Sequence, residues 1–361
     1  MTAIPNLIIG GGVAALWLNA QAHARGHSTL AVSPSLGAGQ TLLSQGIIHG
    51  GTKYALSGAL TQASEAIKGM PARWLAALAG DGGVDLSGAR IACDHQLMIH
   101  DSSLGGRLVQ FFASKALAGR MESVAPPSFL SPDRRVYQLS EPVVDTDSVV
   151  QCLAAAAPVW AATVNQIDIK TGVVSLDDGR TVTAERIFLL AGAGNELVLN
   201  NSRLAMPAMQ RRPLQMLVGR GALPPMWAHI VGTDTKPLAT ITTHNGFWYI
   251  GGDIAERGAT QSESEFLTTA PARLAQLLPD IDLSAVEWSC VRVDRAEPAT
   301  QNKARPDHPY WHQQGRLFTG WPTKLALAPA LADALIPHFS PNHADIATES
   351  VPLATTPWNQ S

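Results

Sequence analysis

The chain has 361 residues, of which 46% are hydrophobic and 15% are charged. This apolar composition excludes a disordered chain, and the length exceeds what one ordinary core holds, so we expect two lobes. The net charge of -3 argues against nucleic acid as a partner. The apolar runs are too short or too interrupted for an integral membrane segment.

The three cysteines, Cys93, Cys152 and Cys290, lie far apart in the sequence. Their spacing fits neither a metal site nor a disulfide framework. The sequence therefore predicts no bound metal, and a reducing, cytoplasmic location is the simplest interpretation.

The first residues predict a dinucleotide-binding turn. Residues 7–9 form an apolar run typical of a buried parallel strand, and the glycines and alanine after them match the fingerprint Gly-x-Gly-x-x-Ala. Gly10 permits a tight turn, and Gly12 lets a diphosphate approach the backbone. Ala15 allows the strand and the following helix to pack closely, and the first amides of that helix face the phosphates.

A second strand over 28–32 ends at Ser33, where the fingerprint takes an acidic residue that holds a ribose hydroxyl. Serine can still hydrogen-bond a ribose, but the contact is weaker because the group is neutral. The sequence therefore leaves open how the adenosine ribose is held.

Later stretches return to the same pattern. Residues 186–194 predict a buried strand with a second glycine turn, and residues 316–320 predict one more strand and turn before a helix over 325–335. Between them, residues 207–288 alternate and contain many β-formers, which predicts a mostly antiparallel sheet inserted as a second lobe. The tail from residue 340 has no period and is predicted to be loosely ordered.

The order of these features resembles the D-amino-acid oxidase superfamily of flavoproteins. Within it, the stretch His-Gly-Gly-Thr-Lys-Tyr from His49 is similar to the H-G-G-x-R-Y stretch of glycerol-3-phosphate dehydrogenases. There the arginine and tyrosine line the substrate pocket, a role that the resemblance transfers to Lys53 and Tyr54. Lys53 keeps the charge of the arginine and loses its planar fork.

Two more stretches carry the resemblance. Thr-Lys-Leu at Lys324 resembles the G-G-K-L stretch of those enzymes, whose lysine reaches the active site. Arg292 stands where the superfamily places an anion-binding arginine, and Arg295 competes for this role. His49 is the natural general base by residue type, because the pKa of an unperturbed imidazole lies near neutrality.

The resemblance implies an α/β fold, with a Rossmann-like FAD-binding domain and an inserted antiparallel-sheet substrate domain. The predicted FAD-binding domain is discontinuous and takes residues 1–85, 141–206 and 312–361. The predicted substrate domain takes residues 86–140 and 207–311.

The resemblance also implies an FAD-dependent oxidoreductase. It removes a hydride from the C–H next to the OH or NH of a small anionic hydroxy or amino acid, and its electrons pass to oxygen or another acceptor. The implied catalytic residues are His49, Lys53, Tyr54, Arg292 and Lys324. The residues expected to contact FAD are Gly10, Gly12, Val13, Ala14, Ser33, Gln40, Thr41, Ser44, Gln45, Gly46, Ile47, Val164, Ala191, Gly192, Gly320, Trp321, Thr323, Lys324 and Leu325.

Two alternatives stay open at this point. One is a flavin-binding protein without redox turnover, which acts as a partner-binding or regulatory subunit; Ser33 and Lys53 favour it slightly. The other is an NAD(P)-dependent enzyme, against which the two later glycine turns argue because such an enzyme does not need them.

Overall fold

The computed structural model describes residues 2–50, 67–100, 121–205, 207–232, 236–301 and 306–359. Within them the strands are β1 (Thr2–Ile9), β2 (Thr29–Val32), β3 (Ile91–Cys93), β4 (Gln96–His100), β5 (Met121–Val124), β6 (Val136–Leu139), β7 (Val143–Val144), β8 (Val159–Trp160), β9 (Val164–Asp168), β10 (Val173–Leu176), β11 (Thr181–Leu189), β12 (Met209–Arg220), β13 (Ala228–Val231), β14 (Pro237–His244), β15 (Phe247–Gly251), β16 (Glu287–Pro298), β17 (Tyr310–Gln314) and β18 (Leu317–Trp321).

The α-helices of the same residues are α1 (Val13–Ala24), α2 (Met70–Leu78), α3 (Thr146–Ala155), α4 (Gly194–Asn201), α5 (Asp253–Gly258), α6 (Glu263–Leu277) and α7 (Ala328–Leu335). A 3₁₀ turn, Leu325–Leu327, leads directly into α7. Among the residues that the structure describes, no helix is both long and apolar enough to cross a membrane.

The first sheet is built around parallel strands. Its order is β17-β18-β11-β1-β2-β8, and the β9–β10 hairpin pairs with the first half of β11. All of β2, and β1 from Ile4 onward, is buried, because helices cover both faces of a parallel sheet. The helix α1 packs against α7 and α3 on one face. This arrangement agrees with the nucleotide-binding lobe predicted from the sequence.

The second sheet is antiparallel except for one pair. Its order is β16-β12-β15-β14-β13-β4-β6-β5, and β13 runs parallel to β4. The helix α6 begins at the cap Ser262, whose hydroxyl accepts a hydrogen bond from the Glu265 amide. Phe266 and Leu274 of α6 lie in one buried cluster with Trp248 of the sheet. The predicted antiparallel lobe is thus a single twisted sheet covered by one long helix.

The parallel strands end at one level, and this positions the site. Ile9 pairs with both Val32 and Leu189, and Leu189 pairs with Thr319. Because parallel strands that stop together leave a crevice beyond their carboxyl ends, ligands of such sheets bind there. The first two predicted glycine turns follow these strand ends. Gly320, the glycine of the third, instead lies inside β18, because the strand runs on to Trp321 and the chain turns only after it.

The C-terminal segment is not loosely ordered, contrary to the sequence prediction. The amide of Leu36 donates to the carbonyl of Pro352 (2.8 Å), and the amide of Ala354 donates to the carbonyl of Leu36 (2.9 Å). Further on, the Trp358 ring stacks on His244 with ring centroids 4.6 Å apart. The segment forms no regular helix or strand and instead crosses both lobes, whose residues are its partners. Its sequence therefore shows no hydrophobic periodicity.

Burial of His244 makes the stability of the protein sensitive to acid. Its residue surface is 8% exposed, and burial lowers its pKa from 6.5 to about 4. As the pH falls below 6.5, the unfolded chain binds a proton at this position before the folded chain does. The folded state therefore loses stability progressively until the pH reaches about 4.

Replacing His244 by phenylalanine keeps an aromatic ring against Trp358 and removes the titrating group. Between about pH 7 and pH 5, we expect the free energy of unfolding of the unmodified protein to fall about 2 kcal/mol more than that of His244→Phe. Urea unfolding at the two pH values measures this difference. His312→Gln, at an exposed position, serves as the control and should behave like the unmodified protein. An equal loss in His244→Phe would contradict the expectation.

Candidate active site

A cavity of about 650 Å³ lies between the strand ends of the first sheet and the inner face of the second. Its walls come from the turn after β1, the loop over 33–49, the turns after β11 and β18, and parts of β12, β14 and β16. This volume is in the usual range for a ligand pocket. One continuous space therefore joins the predicted nucleotide site to the second lobe.

The first glycine turn packs tightly against β11. Gly10 has a φ of +136°, and a Cβ at this position would lie 2.7 Å from the carbonyl oxygen of Leu190. The hydroxyl of Thr41 accepts a hydrogen bond from the amide of Val13 (3.1 Å), and Gly12 lies directly beside that hydroxyl. Any side chain at Gly10 would push the turn out of the cavity wall. The backbone cradle thus fits the close approach that a dinucleotide diphosphate requires.

Asn195 joins the second glycine turn to the end of β18. Its side chain is fully buried; the carbonyl accepts from the amide of Ala191 (2.7 Å), and the amide donates to the carbonyl of Gly320 (3.3 Å). Trp321 adds a second link, because its indole N–H donates to the carbonyl of Gly192 (3.1 Å). Two stretches that are far apart in sequence are therefore held as one wall.

The Ser33 hydroxyl, at the place of the missing acid, donates to the carbonyl of Ser35 (2.7 Å). Ser33 lines the cavity together with Pro34, Ala38 and Gln40, and this part of the wall carries no carboxylate. A ribose would meet neutral groups here, in agreement with the weaker contact expected from the sequence.

The loop over 33–49 is fixed to the second sheet. The Gln45 side-chain amide donates to the carbonyls of Thr240 (2.8 Å) and Tyr249 (3.1 Å). The Tyr249 hydroxyl returns a hydrogen bond to the carbonyl of Leu43 (2.9 Å), and burial raises the pKa of that hydroxyl well above its ordinary value. The loop therefore forms the floor between the two lobes.

Most of the residues predicted to contact the cofactor line this cavity. These residues are Gly10, Gly12, Val13, Ala14, Ser33, Gln40, Thr41, Ser44, Gln45, Gly46, Ile47, Val164, Ala191, Gly192, Trp321, Thr323, Lys324 and Leu325. Gly320 does not line it and instead supports the wall through Asn195. Lys53 and Tyr54 lie outside the described residues.

Arg292 lies away from the cavity, which corrects the role predicted for it. Its side chain is 51% exposed, its guanidinium donates to the carbonyl of Ala259, and Asp294 lies 3.6 Å away. The residues of β16 that line the cavity are Val293, Asp294, Arg295 and Ala296, and Arg292 is not among them. The competing candidate, Arg295, is therefore the arginine that β16 contributes to the wall.

Lys324 is a buried cation in the turn after β18. Its side chain is 2% exposed, and the ammonium lies 3.4 Å from a carboxylate oxygen of Asp307. The preceding Thr323 has a φ of +63°, a strained conformation for a β-branched residue. Its hydroxyl donates to the carbonyl of Pro322. The strained turn sets the direction in which Lys324 enters the wall.

Two histidines of the wall flank a buried carboxylate. His49 Nδ1 lies 3.1 Å from Glu141 Oε2, the His49 and His229 rings stack with centroids 6.1 Å apart, and the Gly50 amide donates to Glu141 Oε1 (2.8 Å). Burial raises the pKa of Glu141, but the hydrogen bond from His49, the two imidazoles and the Gly50 amide outweigh it and lower the pKa to about 2. Glu141 is therefore ionised at neutral pH.

Sequence reasoning missed Glu141, Asn195 and His229. Asn195 directly follows the second glycine turn and lies in the first turn of α4, a local signal that was available. Glu141 and His229 carried no such signal, because each reaches its neighbours only through the pairing of β4 with β6 and β13.

The first sheet has the glycine turns of a dinucleotide-binding fold, and one cavity joins it to the second sheet. This arrangement is typical of an enzyme that holds a nucleotide cofactor against a substrate. Residues 7–334 match the family described as FAD dependent oxidoreductase (DAO). The chain belongs to this family, which confirms both the resemblance to D-amino-acid oxidases and FAD as the cofactor.

Three relatives illustrate the match. The probable FAD-dependent oxidoreductase PA4991 of Pseudomonas aeruginosa is 46% identical over 345 residues, covering 91% of this chain and 88% of that protein. Its crystal structure aligns with a TM-score of 0.83 at 38% identity, covering 99% and 98% of the two chains. Glycine oxidase of Geobacillus kaustophilus (TM-score 0.70, 15% identity, 94% and 96% covered) and the amino acid oxidase NikD (0.64, 16%, 94% and 94%) share the fold.

The geometry of the first turn predicts a selective loss of flavin. Gly10→Ala places a Cβ against the Leu190 carbonyl at a φ that alanine rarely adopts, so we expect purified protein to retain less than about a tenth of the usual FAD. The ratio of flavin to protein absorbance measures this. Gly69→Ala is the matched control, because a Cβ there meets nothing within 4 Å. Full FAD occupancy in Gly10→Ala would contradict the cradle.

Proposed function

We propose that this FAD-dependent oxidoreductase removes a hydride from the C–H next to the OH or NH of a small anionic hydroxy or amino acid. The observation that supports this most is the shared cavity. It reaches from the glycine turns to two imidazoles, His49 and His229, and to three cationic side chains. Of these, Lys236 is paired with Asp253 and Glu256, which leaves Arg295 and Lys324 as the two cations that we assign to the substrate. Bound FAD supplies a two-electron acceptor for the hydride.

The two cations hold the substrate anion. A guanidinium such as that of Arg295 binds a carboxylate with two parallel hydrogen bonds, while the ammonium of Lys324 contributes a point charge. They come from different lobes, one from β16 and the other from the turn after β18. An anion bound by both would be fixed relative to the glycine turns, which orients its neighbouring C–H bond.

His49 accepts the proton that leaves the substrate O–H or N–H. With a proton on Nδ1 donated to Glu141 Oε2, the lone pair of the imidazole lies on Nε2. The ionised Glu141 fixes this tautomer and stabilises the imidazolium that forms, as a buried carboxylate does for the histidine of a catalytic triad. Glu141 is thus a positioning residue that acts through His49.

The cofactor contacts that we assign follow the cavity wall. The first amides of α1 would hold the diphosphate, Ser33 and Gln40 would contact the ribose end, and the turns at Gly192 and Trp321 would contact the flavin end. Leu325 and Ala326, at the start of the 3₁₀ turn, line the same space. Oxygen or another oxidant would serve as the electron acceptor.

Anaerobic titration of the flavin-loaded protein with a panel of small hydroxy and amino acids tests the proposal. We expect at least one of them to bleach the flavin absorbance. Because a hydrogen bond to a charged group contributes about 1.5–3 kcal/mol, Arg295→Ala and Lys324→Ala should each raise the half-saturating concentration at least about tenfold without loss of bound flavin.

Arg292→Ala is the matched control, because it removes an arginine from the same strand on the opposite face and should leave the half-saturating concentration unchanged. Bleaching that is unaffected in both Arg295→Ala and Lys324→Ala would contradict the anion site. A flavin that no member of the panel reduces would contradict the substrate class.

A further inference from the structure

His49, Glu141 and His229 come together from three separate parts of the chain. His49 ends the loop over 33–49, Glu141 follows β6, and His229 lies on β13. One possible ligand atom from each residue lies within 4.8 Å of the others. A second group of this kind, Cys93, Asp94 and His95, is consecutive in sequence and includes an exposed member.

The three side chains offer the kinds of ligand atom that zinc takes in proteins. Two imidazoles and one carboxylate occur together in catalytic zinc sites, where a fourth position stays open. Metal–ligand bonds of about 2.0–2.2 Å in a tetrahedron place the donor atoms roughly 3.3 Å apart. His49 Nδ1 and Glu141 Oε2, at 3.1 Å, already have this spacing. The remaining donor separations are at most 4.8 Å and would shorten to about 3.3 Å around a bound ion.

The surroundings orient these donors. His229 Nδ1 lies 2.9 Å from the hydroxyl of Thr240, and the Gly50 amide donates to Glu141 Oε1. Metal-binding histidines and carboxylates generally have such partners, which fix the tautomer and the direction of the lone pair. Glu141 is 4% exposed, and an ionised carboxylate in such a poorly solvated place attracts a cation strongly.

The site is also accessible. His49 and His229 both line the cavity, whereas Glu141 lies behind them. The geometry points to a site for a divalent transition-metal ion of the zinc class, held by His49, Glu141 and His229 with its fourth position open to the cavity. The ion takes the place of the proton shared between His49 and Glu141.

The metal site is independent of the proposed reaction. One expected effect of metal binding, on flavin reduction, rests on the proposed function. An ion on Nδ1 leaves the proton of the neutral imidazole on Nε2, so His49 cannot then accept a proton from a substrate. Zn²⁺ should therefore suppress flavin reduction. Bound Zn²⁺ without suppression would contradict His49 as the proton acceptor and leave the metal site intact.

The flavin-loaded protein, treated with a chelator and dialysed, provides the test. After incubation with ZnCl₂ and removal of the excess by gel filtration, elemental analysis should find one retained Zn²⁺ per chain. His229→Ala and Glu141→Gln should weaken Zn²⁺ binding by more than about a hundredfold, and Thr240→Val, which removes only a supporting hydroxyl, by about tenfold. Calorimetric titration measures these affinities.

His95→Ala is the matched control, because it removes a histidine from the second group of possible ligands and should retain the ion. The flavin-to-protein ratio of each variant reports whether it is folded. Glu141→Gln keeps the size of the side chain and the acceptor for the Gly50 amide, so it tests the site even where His229→Ala fails to fold. No retained Zn²⁺, retention by Glu141→Gln, or loss in His95→Ala would overturn the proposal.

Discussion

The close approach of the first glycine turn to β11 is the constraint on which the rest of the structure depends. Gly10 lies so near the Leu190 carbonyl that no side chain fits, and the same strand end is tied to Gly320 near the end of β18 through Asn195. Three turns that are separated by most of the chain thereby form one wall. Contacts within the protein hold the backbone of this wall in place, and an ordered site lowers the entropic cost of binding a ligand.

The cavity beyond this wall is unusual in its charges. Arg295 and Lys324 bring positive charge into a largely apolar space, while the ionised Glu141 lies just behind the imidazole of His49. In the proposed function, one part of the wall therefore binds the anionic substrate and another part accepts its proton. The buried carboxylate is tolerated because two imidazoles and a backbone amide surround it, which is also the condition for binding a metal ion.

The two lobes are held together by the loop over 33–49 and by the C-terminal segment. Across the floor of the cavity, the Gln45 side-chain amide donates to the carbonyl of Tyr249, and the Tyr249 hydroxyl donates to the carbonyl of Leu43. The C-terminal segment pairs with Leu36 before Trp358 packs on the second sheet. The loop is therefore clamped from both sides. Because it supplies much of the cavity wall, the geometry of the site depends on contacts that lie well outside it.

Short runs of residues with their own local conformation were enough to predict the parallel strands, the first two glycine turns and the antiparallel second lobe, whereas FAD followed from the resemblance to a flavoprotein family. Tertiary contacts were needed to show that Arg295 lines the cavity in place of Arg292, that the tail is ordered, and that His49 meets Glu141 and His229. Strand pairing chooses which face of β16 is inward, and it joins residues that no local period connects. Such contacts depend on the register between distant strands, which composition and spacing do not encode.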